Sequence, residues 1–198
     1  MTTQEFSLPV DLPRPIDDGA CDHLPDMDMD MDMGMLALAL ASTGEGSVDL
    51  HALGTGRTVI YAYPMTSVPG VALPDGWDMI PGARGCTPQS CGFRDHHDEL
   101  AGLGARVFGL STQETAYQQE MATRLHLPFD VLSDAEFALC DALRLPTFDV
   151  VACGTPRRLL KRLTLVVSSG RIEHAFYPVF PPNESADQVM AWLRANPA

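Results

Sequence analysis

The chain has 198 residues and is 45% hydrophobic, which is enough for one domain with a packed core. Its 13 basic and 26 acidic residues give a net charge of −13, which argues against nucleic acid or an anionic membrane as a partner. The longest apolar run, residues 35–41, is too short to span a bilayer, and the first residues lack the features of a secretory signal. We therefore expect a soluble, cytoplasmic protein.

The first 34 residues are rich in proline and acidic side chains and contain the repeat PDMDMDMDMGM. Asp26, Asp28, Asp30 and Asp32 alternate with methionines there and offer a row of carboxylates to a hard cation. No glycine turn or bidentate glutamate follows, as a calcium loop would need. Residues 1–34 are therefore interpreted as an acidic, low-complexity and poorly ordered leader, and residues 35–198 as the folded domain.

Strand and helix patterns alternate after the leader. A strand pair is expected within residues 36–53, and the apolar run RTVIYAYP (57–64), which Pro64 ends, is typical of a central strand buried on both faces. Further strands are expected at 105–111 and 129–134, a hairpin at 159–180, and helices at 86–103, 113–127, 135–145 and 185–196. This order predicts a thioredoxin-like α/β fold, a central mixed sheet flanked by helices, with an N-terminal strand pair.

The segment GARGCTPQSCGFRD places Cys86 and Cys91 at the start of the first long helix, beyond the carboxyl end of a central strand. Open α/β sheets commonly carry their sites at that edge. A zinc site would add His96 or His97, but each five-residue step along a helix turns by about 140°, so residues 86, 91 and 96 share no face. No second ligand pair accompanies the cysteines, and this spacing disfavours a metal.

A permanent disulfide between the two cysteines is also disfavoured. On an intact helix their Cα atoms would lie ~8–9 Å apart, whereas a disulfide requires ~4.4–6.8 Å. The first turn must therefore unwind for the bond to form, which suits a reversible redox cycle. Pro88 is tolerated in that first turn. Cys86 lies nearer the positive end of the helix dipole, which favours its thiolate, so Cys86 is the predicted nucleophile and Cys91 the predicted resolving thiol.

The sequence GCTPQSCGFRDHHDEL resembles the peroxiredoxins of the Q type, also called bacterioferritin comigratory proteins. The likeness continues through VFGLST, LPFDVLSD, KRLTLVV, GRIEH and VMAWL, and covers about residues 35–196. As a set these motifs are specific, whereas an isolated pair of cysteines five residues apart would be weak evidence.

The resemblance implies a peroxidase that reduces hydrogen peroxide and organic hydroperoxides. Cys86 would become a sulfenic acid, condense with Cys91 to a disulfide, and be recycled by a thioredoxin- or glutaredoxin-type donor. Arg162 matches the family's active-site arginine, on the strand beside the nucleophile; composition alone does not separate it from Arg157, Arg158 and Lys161. No metal or organic cofactor is implied, and we expect a monomer or a weak homodimer.

The chain departs from the family pattern just before Cys86. Pro64 ends its strand as expected, but an insertion at about residues 67–82 separates it from Cys86, and PMTSVPGV resembles the usual loop with Val71 in place of the cysteine. Ala83 stands where the family has a threonine or serine, which leaves Thr66 or Thr87 as candidate hydroxyls. The insertion is interpreted as a lid, a partner surface or a packed loop.

Two other functions remain open from the sequence. A general thiol–disulfide oxidoreductase is one, although its usual C-x-x-C motif is absent. A redox sensor or binding module on the same fold is the other, and the missing hydroxyl at Ala83 favours it slightly.

Overall fold

The computed structural model describes residues 12–25, 27, 39–152 and 154–197. The strands are β1 (Ala39–Ser42), β2 (Ser47–Asp49), β3 (Arg57–Ala62), β4 (Ala105–Ser111), β5 (Val131–Ser133), β6 (Thr147–Ala152), β7 (Thr155–Leu160), β8 (Leu163–Ser168) and β9 (Arg171–Phe176). The helices are α1 (Cys86–Asp95), α2 (His97–Gly102), α3 (Thr115–Leu125), α4 (Ala138–Ala142) and α5 (Ser185–Ala195), with 3-10 turns at Leu50–Ala52, Trp77–Met79 and Pro182–Glu184.

The main sheet has seven strands in the order β2-β1-β5-β4-β3-β8-β9. β3, β4 and β5 run parallel, while β1 pairs antiparallel with β5 and β8 pairs antiparallel with β3. Every residue of β3 is buried, because this apolar strand lies between β4 and β8 and is covered on both faces. The predicted mixed sheet, flanked by helices and extended by an N-terminal strand pair, is confirmed.

Two cores fill the two faces of this sheet. One contains Ile60, Leu110 and Leu132, and the other contains Val59, Tyr61 and the helix residue Phe93. Alternate residues of β3 point to opposite faces, which is why neighbours in sequence enter different cores. The helix that carries both cysteines therefore packs directly on the central strand. No helix within the described ranges has the length and apolar character needed to cross a membrane.

The hairpin predicted at 159–180 is present as β8 and β9, but Leu159 and Leu160 belong to the earlier strand β7. β7 pairs with β6 in a separate two-stranded sheet that the sequence did not predict. Most residues of this second hairpin are half-buried or exposed, so its sequence lacks the apolar run that marks the central strands. Arg162 consequently lies in the connection between β7 and β8, and not on a strand as expected.

The predicted helices are present but some are shorter or divided. The helix expected at 86–103 is split at His96, whose backbone (φ −102°, ψ 14°) departs from helical values. The helix expected at 135–145 is reduced to α4, because Phe137 adopts φ +59° immediately before it. The four residues at 35–38, where order was expected to begin, lie outside the described residues.

The expectation of a poorly ordered leader does not hold for residues 12–25. Leu24 is fully buried and Cys21 nearly so, both in the core that contains Ile60. His23 also bonds to the carbonyl of Leu143, with 2.9 Å between Nε2 and the oxygen. We call residues 12–25 the N-terminal strap. The aspartate repeat lies almost wholly outside the described residues.

Candidate active site

Cys86 is the first residue of α1 and is 5% exposed. The preceding Gly85 has φ +101°, a left-handed conformation that glycine adopts without steric cost, and this turn directs the chain into the helix. The Sγ atom lies 3.5 Å from the carbonyl oxygen of Ala83. The thiol thus sits at the amino end of a helix, where free N–H groups and the helix dipole favour an anion.

Arg162 brings a positive charge to this thiol. Its Nη2 lies 3.1 Å from Cys86 Sγ, and the side chain is only 3% exposed. The same nitrogen donates to the carbonyl oxygens of Ala83 and Arg84, each at 3.1 Å, while Nε donates to that of Gly82 at 3.3 Å. The loop before α1 therefore holds the guanidinium in one orientation. A fixed, desolvated cation stabilises a thiolate and the charge that develops on an attacked oxygen.

Gln89 is a residue of this site that the sequence reasoning missed. Its Oε1 accepts a hydrogen bond from Nη1 of Arg162, and its Nε2 donates to Ser185 Oγ at 3.4 Å. Ser185 Oγ lies 3.3 Å from the hydroxyl of Thr164, and all three polar side chains are buried. This chain of hydrogen bonds links the guanidinium to α5 and β8. Only the position of Gln89, three residues after Cys86, offered a signal, because that spacing places it one helical turn away.

The other basic residues near Arg162 in sequence, Arg157, Arg158 and Lys161, have different surroundings. Arg158 pairs with Asp141 at 2.9 Å, and Lys161 pairs with Asp18 at 2.7 Å. Arg157 is exposed. The structure therefore brings Arg162 together with Cys86, whereas Lys161 and Arg158 are engaged by carboxylates.

Cys91 has a different environment on the same helix. Its thiol is partly exposed and packs against the core that contains Phe93, and burial raises its pKa. Arg94 acts in the opposite direction but does not outweigh burial. Both Cys86 and Cys91 are free, and both belong to intact helix. The structure thus places the two predicted cysteines on one helix, five residues apart, without joining them.

The floor beneath α1 is aromatic. Tyr61 stacks on Phe93 with ring centroids 4.4 Å apart, and its hydroxyl donates to Ser90 Oγ at 3.1 Å. A Cβ atom at Gly109 would come within 2.9 Å of the Tyr61 hydroxyl, so glycine is required for this approach. Burial raises the pKa of Tyr61, which keeps the phenol neutral. This packing holds α1 against the sheet through the turn that contains Ser90 and Phe93.

The candidate hydroxyls do not contact Cys86. Thr66 is bound to Gln113, whose Oε1 accepts from the Thr66 N–H at 2.8 Å and whose Nε2 donates to the Thr66 carbonyl at 2.9 Å. In the hydrogen bonds of the described residues, neither Thr66 nor Thr87 reaches Sγ. Ala83 is fully buried and contributes its carbonyl oxygen alone.

The insertion is packed into the protein. Trp77 is 3% exposed and contacts Phe148 of β6, with ring centroids 6.2 Å apart. Trp77 shares a small core with Ala83 and Val150. The insertion therefore supports the loop that holds Arg162. Across the part of the chain that the structure describes, no group of three or more His, Cys, Asp or Glu side chains is arranged to hold a metal ion.

Comparisons with known proteins identify the family and the fold. A family model described as Redoxin matches residues 20–190. Peroxiredoxin Bcp of Escherichia coli strain K12 is 29% identical over 138 residues, which cover 70% of this chain and 78% of that protein. Peroxiredoxin Q of Xanthomonas campestris superposes with a TM-score of 0.66 at 24% identity, covering 89% of this chain and 98% of the other. Peroxidoxin BcpB of Mycobacterium tuberculosis gives a TM-score of 0.66 at 23% identity, covering 89% and 100%.

Proposed function

This chain belongs to the Redoxin family and is a thiol-dependent peroxidase of the peroxiredoxin type, and from that premise we propose that Cys86 is the residue that reacts with the peroxide. The single observation that carries this assignment is the contact of 3.1 Å between Cys86 Sγ and the buried guanidinium of Arg162. Among the described cysteines, Cys86 combines such a cation with a helix amino end. The other two functions considered from the sequence, a general oxidoreductase and a sensor, have no comparable support.

In the first step the Cys86 thiolate attacks the terminal oxygen of a hydroperoxide, ROOH. The S–O bond forms as the O–O bond breaks, and the RO⁻ leaving group takes up a proton to become ROH. Sulfur is oxidised by two electrons to a sulfenic acid. Arg162 stabilises the thiolate before the attack and the negative oxygen during it, at no cost in reorganisation because three backbone carbonyls and Gln89 already hold the guanidinium.

In the second step the Cys91 sulfur attacks the Cys86 sulfenic acid, the hydroxyl departs as water, and a Cys86–Cys91 disulfide forms. The two cysteines belong to one helix, so α1 must open at its first turn before the sulfurs meet. This opening breaks the contacts of Cys86 and Gln89 with Arg162, and it stops there because the stacked ring of Phe93 holds the following turn.

A dithiol donor of the thioredoxin or glutaredoxin type would then reduce this disulfide through a mixed disulfide. Hydrogen peroxide and organic hydroperoxides are the proposed substrates, and a neighbour in fold, the bacterioferritin comigratory protein of X. campestris, is described as having alkyl peroxide reduction activity. The proposed cycle needs no metal or organic cofactor. We place the protein in the cytoplasm, as a monomer or weak homodimer.

Stopped-flow mixing of the reduced protein with hydrogen peroxide tests the assignment. The wild type should consume one equivalent rapidly, and Cys86→Ala should not. Cys140→Ala is the matched control, because Cys140 is fully buried and burial raises its pKa to about 11. Equal loss of rapid consumption in both variants, or in neither, would contradict the role of Cys86.

A further inference from the structure

A cavity of about 480 Å³ has Arg162 among its lining residues. Five segments distant in sequence form its walls: the N-terminal strap, the end of the insertion, Phe148 of β6, the β7–β8 connection and the residues just after β9. Its apolar lining includes the side chains of Ile16, Ile80, Phe148 and Tyr177. A cavity of this size and character is typical of a site for a small organic group.

The strap is fastened at this cavity by one carboxylate. Asp18 Oδ2 accepts from Lys161 Nζ at 2.7 Å, and Asp18 Oδ1 accepts from the Tyr177 hydroxyl at 2.8 Å. These bonds lower the pKa of Asp18 to about 2, so the carboxylate is charged at neutral pH. The buried Leu24 anchors the strap a few residues further along. The wall that the strap provides is thus part of the folded protein.

The strap also touches the loop that holds Arg162. A Cβ atom at Gly82 would lie 3.6 Å from Cβ and Cγ of Pro15, which is ordinary van der Waals contact. The carbonyl of Gly82 in turn accepts from Arg162 Nε at 3.3 Å. The cavity is therefore lined by Arg162, the residue that contacts the Cys86 sulfur, while Cys86 itself is almost fully buried.

Ile16 is an unusual residue in this wall. It lines the cavity and is 83% exposed, the most exposed of the large hydrophobic side chains described. An apolar organic group in the cavity would cover part of this surface and remove it from water, which favours its binding. Hydrogen peroxide has no such group and gains nothing from the wall.

We propose that the N-terminal strap, through Ile16 and its Asp18 fastening, forms with the insertion residue Ile80 the subsite for the apolar organic group of a hydroperoxide. The proposal rests on the peroxidase function proposed for Cys86. In it the strap determines selectivity between bulky organic hydroperoxides and hydrogen peroxide, and the reacting groups remain Cys86 and Arg162.

The test compares kcat/KM for cumene hydroperoxide with kcat/KM for hydrogen peroxide in Ile16→Glu. A carboxylate in this wall should lower the ratio of the two constants about tenfold, the size of a one-group mismatch in an apolar pocket, with hydrogen peroxide unaffected. Val151→Glu is the matched control, since Val151 is 57% exposed and lies outside the cavity lining. Tyr177→Phe removes one fastening hydroxyl while Lys161 still binds Asp18, and should lower the ratio by about threefold, less than the full loss of a hydrogen bond to a charged group.

The outcomes separate the two proposals. A wild type that consumes neither peroxide would refute the proposed function and this inference with it. A wild type active on both, with the same ratio in Ile16→Glu as in Val151→Glu, would refute the subsite and leave the function standing. Equal slowing of both substrates in Ile16→Glu would also refute it, because a selectivity wall must discriminate between them.

Discussion

Cys86 and Cys91 lie on the same ten-residue helix, but their surroundings differ in the feature that governs thiol chemistry. Cys86 stands at the amino end against a buried arginine, with 3.1 Å between Sγ and Nη2. Cys91 lies more than a turn further along α1. Its thiol is more exposed than that of Cys86 but is still partly buried against the core that contains Phe93, and this burial raises its pKa. In the proposed cycle α1 therefore separates two tasks: its first turn carries the thiol that attacks the peroxide, and its second carries the thiol that later forms the disulfide.

The first and second turns of α1 also differ in the contacts that hold them in place. The second turn rests on the stacked rings of Tyr61 and Phe93, which are fully buried. The first turn is held by polar contacts to Arg162 and by Gln89. In the proposed cycle an uncharged sulfenic acid replaces the Cys86 thiolate, which weakens the contact with Arg162 and leaves the aromatic stack under the second turn intact. Substitutions and hydrogen-exchange measurements test this difference between the two turns, with expected rate changes from a hundredfold down to a few-fold.

Removing the arginine should have the largest effect among the residues that support Cys86. Arg162→Met keeps an unbranched side chain but deletes the charge, and we expect the rate of peroxide consumption to fall by ~10²-fold, as for the loss of one preorganised charge contact. Stopped-flow fluorescence or competition kinetics measures the rate. Arg158→Met is the control, because Arg158 pairs with Asp141 away from the site. A normal rate in Arg162→Met would assign the stabilisation to another group.

Removing the support of that arginine should have a smaller effect. Gln89→Leu deletes the acceptor of Arg162 Nη1 and replaces it with an apolar side chain of comparable volume. We expect peroxide consumption to slow by about tenfold, on the scale of one hydrogen bond to a charged group. Gln89→Glu restores an acceptor and should recover part of the rate. A wild-type rate in Gln89→Leu would show that the Gln89 side chain has no positioning role.

The pH dependence of Cys91 alkylation should differ between the folded and the unfolded protein. Its folded-state pKa is raised, so the stability contributed by the protonated thiol is present at neutral pH and is lost as the pH rises through the raised value. In reduced Cys86→Ser, alkylation of Cys91 by iodoacetamide should therefore have a midpoint above that of an unfolded cysteine, and it should be slower by several-fold at about pH 9. Alkylation in denaturant supplies the reference. Coincident profiles would show that the helix does not protect Cys91.

The smallest effect concerns the backbone of the first turn. Amide hydrogen exchange across residues 86–90 should become faster in the disulfide form by a few-fold or more, because this turn must open for the bond to form. Exchange in α3 serves as the internal reference, since that helix contains neither cysteine. Equal protection of α1 in both redox states would contradict an opening of the first turn.

The sequence predicted the parts of the fold whose signals are local. Buried apolar runs identified β3, β4 and β8, and the position of Cys86 and Cys91 at a helix start followed from spacing and from the proline in the first turn. The hairpin β6–β7 was missed because most of its residues are half-buried or exposed, so it carries no apolar run. Gln89 was missed because its partners Arg162 and Ser185 lie 73 and 96 residues away in sequence.

The strap shows a second limit of sequence reasoning. Proline and acidic residues dominate residues 1–34, and that composition predicts disorder. Burial of Leu24 and the fastening of Asp18 by Lys161 and Tyr177 depend instead on residues far along the chain. The average composition of residues 1–34 gives no sign of the few side chains that pack against the folded domain.

In the proposed function Cys86 receives the peroxide oxygen, and Cys91 attacks the sulfenic acid that results. Mass spectrometry of Cys91→Ser and Cys86→Ser, each treated with one equivalent of hydrogen peroxide in the presence of dimedone, tests this directly. We expect a dimedone adduct on Cys86 in Cys91→Ser, and neither an adduct nor rapid peroxide loss in Cys86→Ser. An adduct on Cys91 in Cys86→Ser, formed with rapid peroxide consumption, would reverse the two roles and contradict the proposed function of Cys86.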